Sequence, residues 1–377
     1  QLCERLILAM DVDTSSFHLP LEEQLMRMEK ERLREELIIQ QAFDSLTQLI
    51  TFDTEHKNIF SAYDSIESIN LEGNVLKFEI KGIDGVPDLL YSEEIYESEK
   101  QIGIEMPIEK LLKIRRNTII MIGVSGCGKT RTCYDFCRNH WGLYFDCYAD
   151  GDFAAMIEKL KYIRPQLKTD KSQDDFESES IRIIRCLIAS RLLVLQTIRK
   201  LNPNLQYFEW LCIQRSRRSR KLFSTILDKL SKLSPLVFSA IYNELANWFP
   251  VDSRVIFDEC QYLLECLKLD YRSTRLCQKG IKKDGTFSFP RSFFSFFSGA
   301  IINSGLKSIW CGTHMRIRCM DLIYSAAGIK EQNIYLFTDF NFLKPNHIFK
   351  LLSMWLNVNI SEHVTLFEEI STILQGR

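Results

Sequence analysis

The amino-acid sequence predicts an α/β fold, built on a five-stranded and mostly parallel sheet with helices on both faces. Five short apolar runs are separated by segments of helical periodicity, a pattern typical of parallel strands that are buried on both faces. Residues 151–250 intervene between the second run and the third, far more than one crossover helix requires. We therefore expect a sheet domain that carries a large helical insertion.

The N-terminal region, residues 1–107, is expected to form a small mixed α+β unit. Charged and apolar residues interleave over residues 21–48, which predicts an amphipathic helix that packs on its own domain or binds a partner. Residues 75–81 alternate with period two, which predicts a half-exposed strand.

The core is expected over residues 108–340, with a C-terminal helical lid beginning in residues 341–377 and cut short at Arg377. The predicted strands lie at residues 118–122, 142–147, 254–258, 307–311 and 333–337. Strong helical periodicity over residues 181–201 predicts an all-helical insertion, in which the polar stretch 171–180 caps or links helices.

The turn after the first predicted strand fits the pattern G-x-x-x-x-G-K-[ST]. Its glycines let the backbone turn tightly and direct N–H groups inward, where they and the positive end of the next helix hold a polyphosphate. Lys129 is expected to reach the β- and γ-phosphates, and the Thr130 hydroxyl to bind Mg²⁺. A glycine-rich turn without a ligand is the alternative, and the preceding apolar run favours nucleotide binding. The predicted cofactor-binding residues are Gly123, Val124, Ser125, Gly126, Cys127, Gly128, Lys129, Thr130 and Arg131.

Two carboxylates follow the third predicted strand, Asp258 and Glu259. This is the Walker B pattern, in which Asp258 is expected to hold Mg²⁺ directly or through water, and Glu259 to orient and polarise the attacking water. A strand end with solvent-facing acids is the alternative. The order of the two motifs along the chain favours the functional interpretation.

Polar residues follow the fourth predicted strand. Thr313 lies where ATPases of the additional-strand type keep a polar sensor residue, and its hydroxyl is expected to hold the lytic water or to touch the γ-phosphate. Arg316 and Arg318 follow and are either arginine fingers, in this subunit or a neighbouring one, or surface arginines.

The overall charge excludes a global electrostatic attraction to nucleic acid or to an anionic membrane, because the formal net charge of the 377-residue chain is −1. One dense basic run contains Arg215, Arg217, Arg218 and Arg220. The run could contact a nucleic-acid backbone or act as a nuclear import signal. The alternative, which we favour, is a solvated helix face.

Cysteine and histidine usage indicates a reducing compartment without a zinc site. The twelve cysteines form no C-x-x-C pair, and the six histidines are far apart. No apolar run reaches the roughly 18 to 20 residues that cross a bilayer, so we expect no membrane contact. The chain begins at Gln1 without a signal-peptide pattern, so we expect a missing upstream segment. Cytoplasm or nucleus is the expected location, and secretion of a longer precursor stays open.

Four segments together resemble the NTPase module of Crinkler-type proteins from filamentous eukaryotes. They are residues 123–130, 141–147, 255–259 and 309–314. The resemblance covers residues 110–377 and implies a P-loop NTPase of the additional-strand type, similar to AAA+ and STAND ATPases. It also implies a homo-oligomer or protein partner, and in relatives the module is often joined to an effector domain.

The combined motifs predict a Mg²⁺-dependent ATPase whose nucleotide cycle moves a lid or an attached domain. ATP is favoured over GTP, because the sequence lacks a guanine-reading N/T-K-x-D motif. Three alternatives stay open: a STAND-type switch with slow turnover, a small-molecule P-loop kinase, and an ATP-gated effector that acts on nucleic acid.

Overall fold

The computed structural model describes residues 21–57, 67–69, 78–80, 107–123, 127–163, 170–267, 271–272, 290–312, 334–340 and 365. Its centre is a five-stranded sheet in which every pair of neighbouring strands is parallel. The strands of this sheet are β3 (Thr118–Met121), β4 (Gly142–Asp146), β5 (Arg254–Asp258), β8 (Ser308–Cys311) and β9 (Ile334–Phe337). All five predicted strands are confirmed, and the sheet is wholly parallel where a mostly parallel one was expected.

The strand order across the sheet is β4-β5-β8-β3-β9. Strand β8 therefore lies between β3, which leads into the glycine-rich turn, and β5, which leads into the carboxylate pair. Because all strands run in the same direction, both motifs lie at the carboxyl-terminal ends of the strands. Open α/β sheets bind their ligands at these ends.

Two short antiparallel ladders accompany the central sheet. The N-terminal one pairs β1 (Glu67–Ile69) with β2 (Phe78–Ile80), which confirms strand structure within the predicted segment 75–81. The other pairs β6 (Tyr271–Arg272) with β7 (Pro290–Arg291).

Side chains alternate between the two faces of the sheet, and each face has its own hydrophobic cluster. Ile119 and Met121 point to the face that is covered by α2 (Pro107–Leu112) and α3 (Lys129–Asn139). Ile120 points to the opposite face, which is covered by the insertion and by α9 (Phe293–Ile302). Burial on both faces explains why these strands are continuous apolar runs.

The insertion between β4 and β5 is helical throughout its described part, as predicted. Its helices are α4 (Gly151–Ile163), α5 (Asp170–Leu201), α6 (Tyr207–Arg215), α7 (Arg217–Ser231) and α8 (Pro235–Trp248). The central helix is α5, whose residues 183–198 are buried with few exceptions. The polar stretch 171–180 belongs to the first turns of α5, and the expectation that it caps or links helices is wrong.

The predicted N-terminal amphipathic helix is α1 (Leu21–Lys57). Its C-terminal half packs against α5, α7 and α8, and buries Phe43, Leu46 and Ile50 in the same hydrophobic cluster as the insertion. Residues 26–38 expose several apolar side chains. The helix thus completes the core of the insertion, while the predicted domain boundaries stay predictions.

Strand β4 is an edge strand, and side chains of the insertion satisfy its outer backbone groups. The Gly142 carbonyl accepts from Trp210 Nε1 at 2.9 Å and from Gln214 Nε2 at 3.0 Å. The Tyr144 N–H donates to Gln214 Oε1 at 2.9 Å, and the Tyr144 carbonyl accepts from Arg191 Nη1. These side chains replace a sixth strand and leave no open edge for another chain to pair with along Gly142–Tyr144.

Arg191 of α5, which contacts the edge strand β4, is the centre of a buried ionic network. Its guanidinium binds Asp152 through Nε at 2.8 Å and Nη2 at 2.8 Å, and Asp150 through Nη2 at 2.7 Å, with all three side chains at most 2% exposed. Burial alone would lower the pKa of Arg191, but the carboxylates of Asp152 and Asp150 outweigh burial and raise it. The arginine is therefore held charged inside the protein.

Replacing Arg191 should destabilise the fold strongly, because Arg191→Met leaves the Asp152 carboxylate buried without its cation and removes a donor from the edge of β4. We expect the free energy of unfolding to fall by about 3 kcal/mol or more, measured by urea denaturation. Arg32→Met is the control, because the Arg32–Glu29 pair is solvent-exposed, and it should cause no measurable change. Equal stability of Arg191→Met and the wild type would show that the network contributes nothing.

Candidate functional site

Two glycines shape the turn between β3 and α3, each for a different physical reason. Gly128 has φ +95°, in the left-handed region, although a Cβ at this position would meet no atom within 4 Å. A Cβ on Gly123, in contrast, would overlap with Cys127 Sγ and lie 3.1 Å from Phe340 Cδ2. Backbone conformation thus favours glycine at 128, and a larger residue at 123 would displace the Cys127 or Phe340 side chain.

Lys129 is the first residue of α3 and lies against its own turn. Its Nζ donates to the Gly123 carbonyl at 2.9 Å and lies 3.7 Å from Cys127 Sγ. The first turn of α3 contains no acidic residue, so no carboxylate there offsets the positive end of the helix. A lysine ammonium and a helix N-terminus at one glycine-rich turn provide the positive charge that a polyphosphate requires.

Thr130 and Arg131 also belong to the first turn of α3. Thr130 is half-buried. Arg131 Nε donates to Asp135 Oδ1 at 3.0 Å, one helical turn further on. Burial raises the pKa of the Asp135 carboxyl, and the Arg131 guanidinium opposes that rise. The guanidinium is therefore bonded within α3, and its predicted contact with a nucleotide stays a prediction.

Asp258 ends β5 with a buried carboxylate that two side chains from neighbouring strands and the next backbone N–H hold in place. Its Oδ2 accepts from the Tyr144 hydroxyl of β4 at 2.7 Å. Its Oδ1 accepts from Cys311 Sγ of β8 at 2.8 Å and from the Glu259 N–H at 2.9 Å. A carboxylate has about four acceptor positions, so one is left for a water molecule or a cation.

The carboxylate site and the glycine-rich turn meet at Cys133 of α3, which lies 3.5 Å from Cys311, sulfur to sulfur. The contact with Cys311 lowers the pKa of the Cys133 thiol, but burial together with the charges of Asp258 and Asp135 outweighs that contact and raises the pKa. The charge of Lys129 opposes the rise. Cys311 also donates to Asp258 at 2.8 Å, so two sulfur atoms connect Asp258 with α3, the helix that begins at the glycine-rich turn.

The donor set suits a cation that is shared with phosphate oxygens. Among the side chains described, no three His, Cys, Asp or Glu residues form a metal-binding group. Mg²⁺ is usually held by one or two protein oxygens together with substrate phosphates and water. Asp258 and the Thr130 hydroxyl are the oxygen donors that the sequence predicts for such a site, which would form only together with a bound nucleotide.

Glu259 adopts a strained backbone conformation directly after the buried carboxylate. Its φ of 50° and ψ of 34° lie in the left-handed region, which disfavours residues other than glycine. Its side chain is half-exposed and accepts from Gln261 Nε2. The strain turns the chain sharply between Asp258, whose carboxylate points inward, and Glu259, whose carboxylate reaches the surface of the site.

Several predicted site residues lie outside the part of the chain that the structure describes. They are Val124, Ser125, Gly126, Thr313, Arg316 and Arg318. The described residues Gly123, Gly128 and Lys129 on one side and Asp258 and Glu259 on the other therefore define the candidate site.

The basic run at residues 214–221 is not a uniformly solvated surface. Arg215 is 6% exposed and binds Asp150 at 2.9 Å and Asp146 at 3.5 Å. The favoured interpretation, a solvated helix face, is therefore wrong for Arg215, whose guanidinium is paired inside the protein, and the alternative contact with nucleic acid stays a prediction. Arg220 is half-buried on α7. Arg217 and Arg218 form the first turn of α7, and their predicted contact with nucleic acid stays a prediction.

Sequence reasoning missed Tyr144 and Cys311 as partners of Asp258. Tyr144 is 114 residues away from Asp258 along the chain, and Cys311 is 53 residues away. Period-two alternation alone could have placed Tyr144 on one face of its strand. Strand order was the missing information, because it makes β4 and β8 the neighbours of β5.

Comparison of the chain with protein-family models, with curated proteins and with solved structures yields no significant match. The resemblance to the Crinkler-type module therefore stays a prediction, and the site has to be interpreted from its own geometry. None of the helices described combines the length and apolar character that a membrane span requires.

Because of the strain at Glu259, glycine should stabilise the protein more than alanine at this position, the reverse of their order in a helix. Glu259→Gly should be more stable to urea than Glu259→Ala by about 1 kcal/mol, because glycine adopts the left-handed region without a steric penalty. The matched control is Glu158 in the helix α4, where glycine should instead be about 1 kcal/mol less stable than alanine. The same order of stability at both positions would contradict the strained conformation.

Proposed function

We propose that the protein is a Mg²⁺-dependent ATPase of the additional-strand P-loop type. One observation carries the proposal: the Lys129 turn and the Asp258–Glu259 pair both lie at the carboxyl-terminal ends of the parallel strands. The two strands that lead into them, β3 and β5, are separated by the single strand β8. An inserted strand between the phosphate-binding strand and the carboxylate strand is the feature that defines the additional-strand type.

Each described residue has a definite role in this proposal. Lys129 and the N–H groups at the start of α3 bind the β- and γ-phosphates, and Lys129 has to exchange its bond with the Gly123 carbonyl for phosphate oxygens. Asp258 and Thr130 hold the cation, which when bound neutralises charge on the β- and γ-phosphate oxygens. The position of Asp258 is fixed before ligand binding by Tyr144 and Cys311.

Glu259 is the proposed water-activating carboxylate. It orients a water molecule and accepts its proton as the water oxygen bonds to the γ-phosphorus and the bond to the β-bridging oxygen breaks, which gives ADP and inorganic phosphate. Two observations support the assignment: the side chain is half-exposed, and the strained backbone turns it away from Asp258.

Two substitutions should separate binding from hydrolysis. Lys129→Ala should weaken ATP binding about 100-fold or more, because the phosphates lose their point charge, and equilibrium binding of a fluorescent ATP analogue measures the loss. Glu259→Gln should bind ATP normally but hydrolyse it about 10²–10⁴ times more slowly, since the amide cannot accept the proton.

Glu158→Gln is the matched control for the glutamate, because Glu158 is exposed on α4 and bonds only to Lys161 among the contacts described. Normal ATP affinity of Lys129→Ala would refute the proposal. Binding without turnover in the wild type would favour a nucleotide-dependent switch over an ATPase.

Bound nucleotide should also protect Cys127 from alkylation. Of the nine cysteines described, Cys127 is half-buried and the others are buried, so among these nine its thiol in the phosphate-binding turn should react fastest with iodoacetamide. Saturating MgATP should slow this reaction about tenfold or more, by covering the turn, as measured by mass spectrometry of the Cys127 peptide. If MgATP binds and the rate of Cys127 alkylation stays unchanged, the nucleotide site is elsewhere.

A further inference from the structure

We propose that Tyr144 is a positioning residue for Asp258, and that through Tyr144 the helical insertion controls the affinity of the nucleotide site for its divalent cation. This inference rests on the proposed function and names a means of regulating the same site. Tyr144 would not touch the nucleotide or the cation. It would act through the orientation of the carboxylate.

The hydroxyl of Tyr144 fixes one oxygen of Asp258. Tyr144 is 1% exposed, Asp258 is 3% exposed, and the two oxygen atoms are 2.7 Å apart. The phenol hydroxyl is the donor of this bond, and the carboxylate oxygen Oδ2 is the acceptor. Groups that orient a metal ligand in this way typically change metal affinity 10–100-fold when they are removed.

The insertion holds Tyr144 at three points. Gln214 of α6 accepts from its backbone N–H, and Arg191 of α5 donates to its carbonyl. The guanidinium of Arg215 lies over its ring, 5.2 Å from the ring centre. Because β4 is the edge strand of the sheet, Gln214 and Arg191 bind the outer backbone groups of Tyr144 in place of a neighbouring strand.

The helices that hold Tyr144 are connected to one another. Arg191 and Arg215 both bind Asp150, at 2.7 Å and 2.9 Å, so α5 and α6 share one carboxylate. Helix α6 also packs against α3, which begins at the phosphate-binding turn. A displacement of α6 therefore changes the position of Tyr144, and with it the orientation of Asp258. A partner or a nucleotide that shifts the insertion would thereby change cation affinity.

The test compares ATP binding with and without Mg²⁺ in Tyr144→Phe. We expect the affinity for a fluorescent ATP analogue in EDTA to stay within about twofold of the wild type, because the Lys129 turn is unchanged. The Mg²⁺ concentration that gives half-maximal enhancement of binding should rise about tenfold. Tyr242→Phe is the matched control, because it removes the hydroxyl of another buried tyrosine, on α8. It should leave both quantities unchanged.

Gln214→Met tests the connection between Tyr144 and the insertion. It also tests the proposal if Tyr144→Phe does not fold. It removes the amide that pairs with Tyr144 and Gly142 and keeps the side-chain length. The Mg²⁺ concentration for half-maximal enhancement of binding should rise as in Tyr144→Phe. In the double variant this concentration should rise by less than the product of the two single fold-changes, because both substitutions act through one hydroxyl.

The outcomes distinguish the two proposals. An unchanged Mg²⁺ requirement in Tyr144→Phe, or equal losses of affinity in EDTA and in Mg²⁺, would overturn the positioning role and leave the ATPase proposal standing. Independent effects of Tyr144→Phe and Gln214→Met would overturn the link to the insertion. A wild-type protein that binds no ATP in either condition would overturn the proposed function, and this inference with it.

Discussion

The requirement that buried backbone groups be hydrogen-bonded explains the most distinctive feature of this structure. Strand β4 is at the edge of a parallel sheet that is buried on both faces, so water is a poor partner for its outer N–H and C=O groups. Gln214, Trp210 and Arg191 satisfy those groups. The helical insertion is thus a structural part of the sheet, and the N-terminal helix α1 in turn completes the core of the insertion.

Burying Arg191 among carboxylates carries a large desolvation penalty, which a hydrogen bond to one carbonyl group does not explain. Hydrophobic replacements of buried ion pairs are often neutral or stabilising in other proteins, so such a network is weak grounds for stability alone. Its geometry offers another explanation, because the guanidinium contacts β4, and Asp150 joins it to Arg215 of α6. The charges define one arrangement of α5 and α6 relative to the strand, since any other arrangement would leave a buried charge unpaired.

The candidate site combines a rigid part with a strained part. Asp258 is held by donors from β4 and β8 and by the next backbone N–H, whereas Glu259 turns sharply out of the strand with a positive φ. Rigid placement suits a residue that binds a cation, and a half-exposed carboxylate suits one that meets water. In the glycine-rich turn, Gly128 is favoured by its backbone conformation and Gly123 by close packing.

The sequence by itself determined the five strands, the helical insertion and both motifs, because strand burial and the glycine-rich turn depend on local patterns of residues. Lys129, Asp258 and Glu259 could be assigned from such patterns. The tertiary structure decided what surrounds them: the order of the strands, the donors Tyr144 and Cys311 on Asp258, and the burial of Arg215 in an ion pair. Spacing along the chain predicts none of these contacts, because they join residues that are 53 or more positions apart and meet only when the parallel strands assemble. An arginine in a basic run has the same local pattern whether water or a buried aspartate is its partner, and only the packing of α6 against β4 distinguishes the two.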